Sequence, residues 1–241
     1  MVVRQSGSSS LRQPDYWWYR SRARLLESVL GRYLGEPRAV LDVGSADGPS
    51  VGWMRGTHRR VAVDVFPDGL VPGEGVCASA ERLPFADATF DVVAAFDVVE
   101  HCEDDRRAMT ELARVLTPGG RLLLSVPAYA WAWSDHDVRA GHHRRYTRRE
   151  LERLVRSAGL EVDRSTYAFT AVFPFFVAER LARRVRSRLG RPAPERLPSV
   201  PARVDRLLEG LSRAESRVLP GRDLPFGSSV LLAGVKRGRV D

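Results

Sequence analysis

The feature that most constrains the fold of this chain is a glycine-bearing turn directly after a short apolar segment. Residues 39–43, Ala-Val-Leu-Asp-Val, have the length and composition of a buried strand, and residues 44–48, Gly-Ser-Ala-Asp-Gly, end it in a tight turn. A strand that runs into such a turn and then into a helix lets a ligand approach the backbone closely. The pattern predicts an α/β domain that binds a small molecule where its first strand ends.

Further apolar segments alternate with amphipathic ones along the chain. Strands are predicted over residues 61–65, 90–96, 121–126, 162–169 and 229–235, and helices over residues 16–34, 103–115 and 147–158. Thr147 and Glu150 form a capping-box pattern at the start of the last helix, and Gly159 marks its end. This alternation predicts an α/β, Rossmann-like, doubly wound and mostly parallel sheet, with the last two strands at one edge.

The length of 241 residues suits one domain. Residues 1–14 are polar and predict a disordered tail, so residues 15–241 form the expected domain. Neither a leader nor a membrane-spanning segment is recognisable, which makes the cytoplasm the expected location. Cys77 and Cys102 have no metal-ligand spacing, so we expect neither a disulfide framework nor a metal site.

The net charge of +8 is unevenly distributed, because both flanks are basic and the central part is acidic. Basic flanks attract polyanions, although an arginine-rich composition with Lys236 as the only lysine explains them equally well. Residues 173–189 are apolar at first and basic afterwards. Such a segment suits peripheral contact with an anionic membrane, and it also suits a helix packed on the sheet with extended arginines.

Two aspartates indicate which cofactor the turn could bind. The turn does not match the GxGxxG pattern of dinucleotide-binding enzymes, and Asp42 before its first glycine would repel a diphosphate. The same carboxylate suits the ammonium group of a cofactor that carries an amino acid. Asp64 ends the second predicted strand, about 20 residues further on, where an acid can accept hydrogen bonds from both ribose hydroxyls.

The ordered motifs of residues 42–48, 64, 80–85, 90–91, 97–101 and 114–120 resemble those of class I S-adenosylmethionine (SAM)-dependent methyltransferases of the ubiquinone-biosynthesis-like group, methyltransferase type 11. The resemblance covers about residues 38–160. It implies SAM as the cofactor and a seven-stranded sheet with an antiparallel edge strand. The implied cofactor-binding residues are Asp42, Gly44, Ser45, Ala46, Gly48, Asp64, Val65, Ser79, Ala80, Glu81 and Phe96.

Two of these residues depart from the family pattern. Ala46 stands where the family usually has glycine, and Ser79 stands where it usually has an aspartate that accepts from the adenine amino group. A hydroxyl accepts more weakly than a carboxylate, so we expect weakened cofactor binding.

Three histidines are candidate general bases for the acceptor. His101 follows the predicted strand 90–96, where doubly wound folds bind ligands, although a histidine there could also simply pack. His136 and His142 belong to a cluster, residues 135–146, that resembles an HD…GHxRRY element of a bacterial subgroup. The cluster could equally be a hydrogen-bonded loop that orders the following helix. It offers no common zinc-ligand spacing, so no metal site is expected.

Residues at the front of the chain and in the same cluster are the candidates for acceptor binding. Arginines can bind a carboxylate or phosphate in bidentate fashion, and aromatic rings can stack on a ligand or exclude water. The candidates are Trp17, Trp18, Arg20, Arg144, Arg145 and Tyr146. Residues 15–36 are expected to form a helical lid, and residues 170–227 a helical insertion before the last strand.

The sequence therefore predicts a SAM-dependent methyltransferase, monomeric or homodimeric, acting on a small or amphiphilic natural-product or glycolipid-type acceptor. Transfer to oxygen is the preferred interpretation, and transfer to nitrogen or carbon stays open. One alternative is a SAM-binding scaffold without turnover, for which the changes at Ala46 and Ser79 speak. Another is a nucleic-acid methyltransferase attracted by the basic flanks. We expect no nucleic-acid partner, because neither an NPPY-like tetrapeptide nor an RNA-binding module is recognisable.

Overall fold

The computed structural model describes residues 15–44, 51–56, 59–67, 70, 75–189 and 200–238, so the predicted tail of residues 1–14 lies outside the described residues. The strands are β1 Ala39–Val43, β2 Arg59–Asp64, β3 Gly75–Cys77, β4 Phe90–Phe96, β5 Leu116–Pro127, β6 Glu161–Ala168 and β7 Ser229–Val235. The α-helices are α1 Trp17–Leu30, α2 Asp105–Val115, α3 Asp135–Ala140, α4 Arg148–Ser157, α5 Phe173–Arg188 and α6 Ala202–Val218.

The strands form one seven-stranded sheet in the order β3-β2-β1-β4-β5-β7-β6. All neighbouring strands are parallel except for β7, which lies between β5 and β6 and runs antiparallel to both. The predicted Rossmann-like, mostly parallel sheet with antiparallel pairing at one edge is confirmed. The strand order reverses between β1 and β4, and such a switch point opens a crevice at the carboxyl ends of the strands.

Two hydrophobic layers enclose the sheet, because alternate side chains of a strand point to opposite faces. Val40 packs in the layer that includes α1 and α6, whereas its neighbour Leu41 packs in the layer that includes α2 and α4. The inner strands are thus buried on both faces, which explains why their sequences are continuously apolar.

The sheet differs from the prediction in β3 and in the bounds of several other strands. Strand β3 was not predicted, because three residues give too short a pattern. Strand β2 ends at Asp64, which leaves Val65 just beyond it. Helix α2 ends at Val115 as the following Pro-Gly-Gly indicates, but the chain enters β5 at once, with Leu116 paired to Phe90 before a register shift.

The segment of residues 135–146, expected as a loop, contains helix α3. The Ser134 side chain accepts from the His136 backbone N–H, and the Asp137 carboxylate accepts from the Ser134 backbone N–H at 2.8 Å. This capping box starts the helix, and Gly141, with φ of 74°, ends it in the left-handed conformation. The capping box predicted for α4 is confirmed, with Thr147 and Glu150 as its partners.

Among the helices in the described part of the chain, none is both long and apolar enough to cross a membrane.

Candidate active site

Gly44 begins the turn at the carboxyl end of β1. Its φ is +74°, and a β-carbon placed there would lie 2.4 Å from the Val98 Cγ2 atom. Its backbone N–H donates to the Val63 carbonyl oxygen at 2.6 Å. The turn therefore requires glycine both for its dihedral angle and for space. Three further predicted cofactor residues, Ser45, Ala46 and Gly48, lie outside the described residues.

The Asp42 carboxylate is almost fully buried near the end of β1 and forms an ion pair with Arg60 on the neighbouring strand β2. The guanidinium compensates the buried negative charge. A cofactor ammonium at this position would share the carboxylate with Arg60.

Asp64 occupies the carboxyl end of β2, next to the turn at Gly44. One carboxylate oxygen of Asp64 accepts from the Phe66 backbone N–H at 2.9 Å. The backbone carbonyl oxygen of Asp64 accepts from the Ala78 N–H at 3.0 Å. Val65 and Phe66 follow with exposed side chains. The end of β2 and the segment after β3 therefore meet, as a ribose site beside an adenine site would require.

Residues 79–81 lie between the end of β2 and the start of helix α2. The Ser79 hydroxyl accepts from the Glu81 N–H at 3.1 Å, and Ala80 is buried. The Glu81 carboxylate accepts from the Asp104 N–H at 3.3 Å, and its carbonyl accepts from Arg107 Nε at 3.0 Å. The described contacts of Glu81 thus join it to the start of α2.

The carboxyl end of β4 carries an acid that the prediction left out. Asp97 adopts a φ of 57°, accepts from Arg22 Nε at 3.0 Å and accepts from the Ser125 hydroxyl at 2.9 Å. Phe96, a predicted cofactor residue, is buried before it, with its ring 6.1 Å from that of Trp53. A strained backbone held by several partners is common at functional sites. Asp97 could have been identified in the sequence as an acid directly after a predicted strand.

Glu100 and His101 follow in a short 3-10 turn. Burial, and then the charge of Asp97, raise the pKa of the Glu100 carboxyl well above its usual range. The His101 ring centroid lies 4.6 Å from that of His142, and desolvation together with His142 lowers the pKa of His101 to about 4. His101 is therefore neutral at neutral pH. Glu100 was predicted only as a neighbour of His101, since nothing local reveals that its carboxylate is buried.

His142 is oriented by the fully buried Asp137. The Asp137 carboxylate accepts from Arg145 Nε at 2.7 Å and lies 2.9 Å from His142 Nδ1. Burial alone would raise the pKa of Asp137, but His142 and Arg145 hold it well below its usual range. An ionised carboxylate only accepts, so Nδ1 of His142 carries a proton. When the ring is neutral, Nε2 presents its lone pair on the opposite side.

The other residues of the 135–146 cluster join it to neighbouring elements. Arg144 pairs with Asp105 at 3.0 Å, the Tyr146 hydroxyl donates to Asp105 at 3.0 Å, and a second Arg145 nitrogen donates to the Ala128 carbonyl at 3.1 Å. In each of these described contacts, a residue predicted to bind the acceptor binds another residue of the protein instead.

Two further contacts fix the position of this cluster. The His143 N–H donates to the Glu100 carbonyl at 2.7 Å, which docks the cluster on the end of β4. His136 lies 6.4 Å from His142 between ring centroids, and desolvation and the Arg180 charge lower its pKa to about 4.

Helix α1 brings two of its three predicted acceptor residues to different places. Trp18 stacks on Phe169, at 5.8 Å between centroids, where β6 ends. Arg20 pairs instead with Asp205 and Glu209 of α6, at 2.9 and 3.2 Å. Trp17 packs against the hydrophobic layer of α1 and α6.

A group of aromatic side chains, the aromatic wall, lines the ends of β5 and β6. It consists of Tyr129, Trp131, Tyr167, Phe173 and Phe226. Tyr129 has a φ of 63° and stacks on both Tyr167 and Trp131, at 5.2 and 5.6 Å. Trp131 and Phe226 are exposed. The wall was not predicted, because its members are far apart in the sequence and only the fold assembles them.

The sheet order and the residues at its carboxyl edge define the Rossmann-like fold of class I SAM-dependent methyltransferases. One solved structure of this fold is the 1,6-didemethyltoxoflavin-N1-methyltransferase of Burkholderia thailandensis, with 1,6-didemethyltoxoflavin and S-adenosylhomocysteine bound. It is 20% identical to this chain, with a TM-score of 0.54 over 95% of this chain and 84% of that one.

Residues 41–124 match the methyltransferase domain family. Over these residues the chain is similar to the class I SAM-dependent methyltransferases of the ubiquinone-biosynthesis-like group, whose cofactor is SAM.

Curated relatives agree with this assignment. A protein of Mycolicibacterium smegmatis named "Probable S-adenosylmethionine-dependent methyltransferase" is 29% identical over 62% of this chain and 61% of its own length. The demethylmenaquinone methyltransferase of Mycolicibacterium paratuberculosis is 32% identical over 66% of each chain. The chain thus spans slightly less than two thirds of the length of these relatives.

Proposed function

We propose that this protein transfers a methyl group from SAM to the oxygen of a small or amphiphilic acceptor of natural-product or glycolipid type. The observation that carries the proposal is the common location of Gly44, Asp64 and His101. They lie at the carboxyl ends of β1, β2 and β4, three adjacent parallel strands whose ends share one edge of the sheet.

The cofactor would bind across the ends of β1 and β2. The turn at Gly44 allows the methionine part to approach the backbone, and the Asp64 carboxylate suits the ribose hydroxyls. Ser79 and Ala80 follow Ala78, which is hydrogen-bonded to Asp64, and would therefore border the adenine. The rest of the turn, with Ser45, Ala46 and Gly48, would complete the site.

The acceptor would lie between the histidines and the aromatic wall. Apolar and aromatic surface suits an amphiphilic or ring-containing acceptor, and Trp18 on α1 could help to exclude water from it. Methyl transfer from a sulfonium to an acceptor depends mainly on alignment of the nucleophile. The three histidines proposed as bases, His101, His136 and His142, could accept a hydroxyl proton, which supports oxygen as the methylated atom. His101 and His136 are unprotonated at neutral pH, and a pKa of about 4 makes each of them a weak base.

The exposed face of α5 supports peripheral contact with an anionic membrane, from which an amphiphilic acceptor could be taken. Leu181, Val185 and Leu189 are exposed at helical spacing, with Arg184 and Arg186 nearby in the sequence. Sedimentation with anionic and with zwitterionic vesicles tests this contact. We expect the protein to bind to the anionic vesicles only, and we expect salt to reduce this binding. Failure to sediment with either kind of vesicle would contradict the membrane contact.

Calorimetric titration with SAM and S-adenosylhomocysteine tests the cofactor site. We expect saturable binding of both ligands, weakened at least tenfold, about 1.4 kcal/mol, in Asp64→Ala. The exposed Glu36, before β1, provides a control, because Glu36→Ala also removes one acid. A folded wild-type protein that binds neither ligand would contradict the proposal.

Turnover separates the proposal from its alternatives. With SAM labelled in the methyl group, small-molecule and lipid fractions and RNA and DNA are offered separately as acceptors, and the ¹³C shift of the transferred methyl identifies the methylated atom. Label in a lipid or small-molecule fraction supports the proposal. Label in nucleic acid supports the nucleic-acid alternative, and cofactor binding without labelling of any fraction supports a scaffold.

A further inference from the structure

We propose that Glu100, His101 and His142 bind one divalent transition-metal ion at the carboxyl end of β4. One potential ligand atom from each of these residues lies within 4.8 Å of those of the other two. Three ligands of one tetrahedral ion at 2.0–2.2 Å are about 3.3–3.6 Å apart. Side-chain rotations that bring these three atoms closer together by up to about 1.5 Å would close the site around an ion.

The side chain of Glu100 lies in an environment that destabilises an ionised carboxylate. The residue is fully buried, and neither carboxylate oxygen has a hydrogen-bond partner among the residues that the structure describes. A buried carboxyl without a partner is destabilising by several kcal/mol when it is ionised. A cation held between this carboxylate and the two imidazoles would supply the missing partner.

The ring of His142 is held as a metal-binding histidine usually is. Its Nδ1 lies 2.9 Å from the buried carboxylate of Asp137, which Arg145 also holds. A carboxylate that accepts from one ring nitrogen orients the other nitrogen and makes it a better ligand. The Asp137–His142 pair therefore presents Nε2 away from Asp137.

The ligand types select the class of ion. One carboxylate and two imidazoles suit Zn²⁺, Mn²⁺, Fe²⁺ or Co²⁺, whereas Mg²⁺ and Ca²⁺ prefer oxygen ligands. Three protein ligands also leave a coordination position open. The sequence predicted no metal site, because neither the cysteines nor the cluster of residues 135–146 shows a common metal-ligand spacing. Glu100 and His101 lie outside that cluster in the sequence.

The open position gives the ion a role, and this step rests on the proposed methyl transfer. With the ion bound, His101 and His142 act as its ligands and no longer as bases, and an acceptor hydroxyl at the open position would lose its proton to solvent more readily, because the ion stabilises the alkoxide. The oxygen–methyl bond would then form as the sulfur–methyl bond of SAM breaks, releasing S-adenosylhomocysteine.

The metal site is tested on the full chain without SAM or an acceptor. Chelator-treated protein is titrated calorimetrically with Zn²⁺ or Mn²⁺ alone, and Mg²⁺ is titrated for comparison. We expect one transition-metal ion per chain, bound at least tenfold more weakly by Glu100→Gln and by His101→Ala. His143→Ala is the matched control, since it removes an exposed histidine next to His142 and should bind like the wild type.

Thermal unfolding establishes that each variant is folded, and Glu100→Gln is expected to fold because it removes a buried ionisable group. Absence of saturable metal binding by the wild type would overturn the metal site. Binding by Glu100→Gln and by His101→Ala that is as tight as that of the wild type would overturn it as well. Titration of the same sample with SAM reports separately on the cofactor site. A failed metal site and a failed methyltransferase proposal are thus distinguishable.

Discussion

The Val98 side chain lies so close to Gly44 that a β-carbon on Gly44 would stand 2.4 Å from Val98 Cγ2. The contact joins the turns after β1 and β4. Gly44→Ala should therefore weaken SAM binding at least tenfold, because the new methyl group must displace one turn and the φ of +74° is unfavourable for alanine. Calorimetric titration of the folded variant measures this loss.

A second substitution separates space from backbone strain. In Gly44→Ala/Val98→Ala the clashing methyl group is absent, so binding should recover in part and leave a strain cost of about 1–2 kcal/mol in stability. Gly210 in α6 is the control, because nothing lies within 4 Å of its potential β-carbon. Gly210→Ala should stabilise the protein by about 1 kcal/mol. No recovery in the double variant would show that the clash is not the cause.

The ion pair of Arg22 with Asp97 should contribute more to stability than the surface pairs of α1. The Arg22 side chain is 3% exposed, and its Nε donates to Asp97 at 3.0 Å. Arg22→Met should cost about 2–3 kcal/mol, because Asp97 loses a charged partner where its backbone is strained. Arg24 pairs with Glu209 nearer the surface, so Arg24→Met should cost under about 1 kcal/mol. Denaturant unfolding compares the two variants, and equal losses would contradict the prediction.

The strands and the cofactor side of the site could be predicted because their signals are local. A buried strand is a run of neighbouring apolar residues, and the turn at Gly44 and the acid at Asp64 directly follow such runs. The strands of residues 39–43, 90–96 and 229–235 accordingly begin and end at the predicted residues.

The acceptor side could be predicted only in part, because its contacts are long-range. The environment of Glu100 depends on His142, more than 40 positions away, and the aromatic wall combines Tyr129 with Phe226. Arg145 illustrates the opposite case: its sequence context suggests an anion-binding group, yet it pairs with the buried Asp137. Residue type and spacing do not indicate whether a charge meets a ligand or another residue of the protein.

Glu111 should make stability depend on pH below neutrality. Its carboxylate accepts from the Leu83 N–H at 2.8 Å and from Arg114 Nε at 2.7 Å, and the Arg114 hydrogen bond lowers the pKa of Glu111 from its usual 4.5. A folded-state pKa below the unfolded value stabilises the protein fully above pH 4.5. This stabilisation is lost as the pH falls through the lower, folded-state pKa.

Glu111→Gln should therefore cost about 1–3 kcal/mol at neutral pH and progressively less in acid. Urea unfolding at several pH values measures the difference from the wild type, and Glu103→Gln at an exposed position is the control. A difference that stays constant as the pH falls would contradict the assignment of this pKa to the Arg114 contact.

Asp137 should be the most sensitive position of the 135–146 cluster, because its carboxylate accepts from Arg145 and His142 with no exposure to solvent. Asp137→Asn should cost about 3–5 kcal/mol, since it leaves the buried Arg145 without a negative charge. Asp135→Asn should cost under about 1 kcal/mol, because Asp135 pairs with the partly exposed Arg139.

The double variant Asp137→Asn/Arg145→Met tests the cause of that loss. Removal of both charges should restore part of the stability, because an unpaired buried guanidinium costs more than an absent pair. In the double variant Nδ1 of His142 faces a neutral amide oxygen, which accepts more weakly than a carboxylate, so Zn²⁺ binding should stay weakened while the fold recovers. If stability and Zn²⁺ binding recovered together, Asp137 would act on His142 only through the fold and not by orienting its ring.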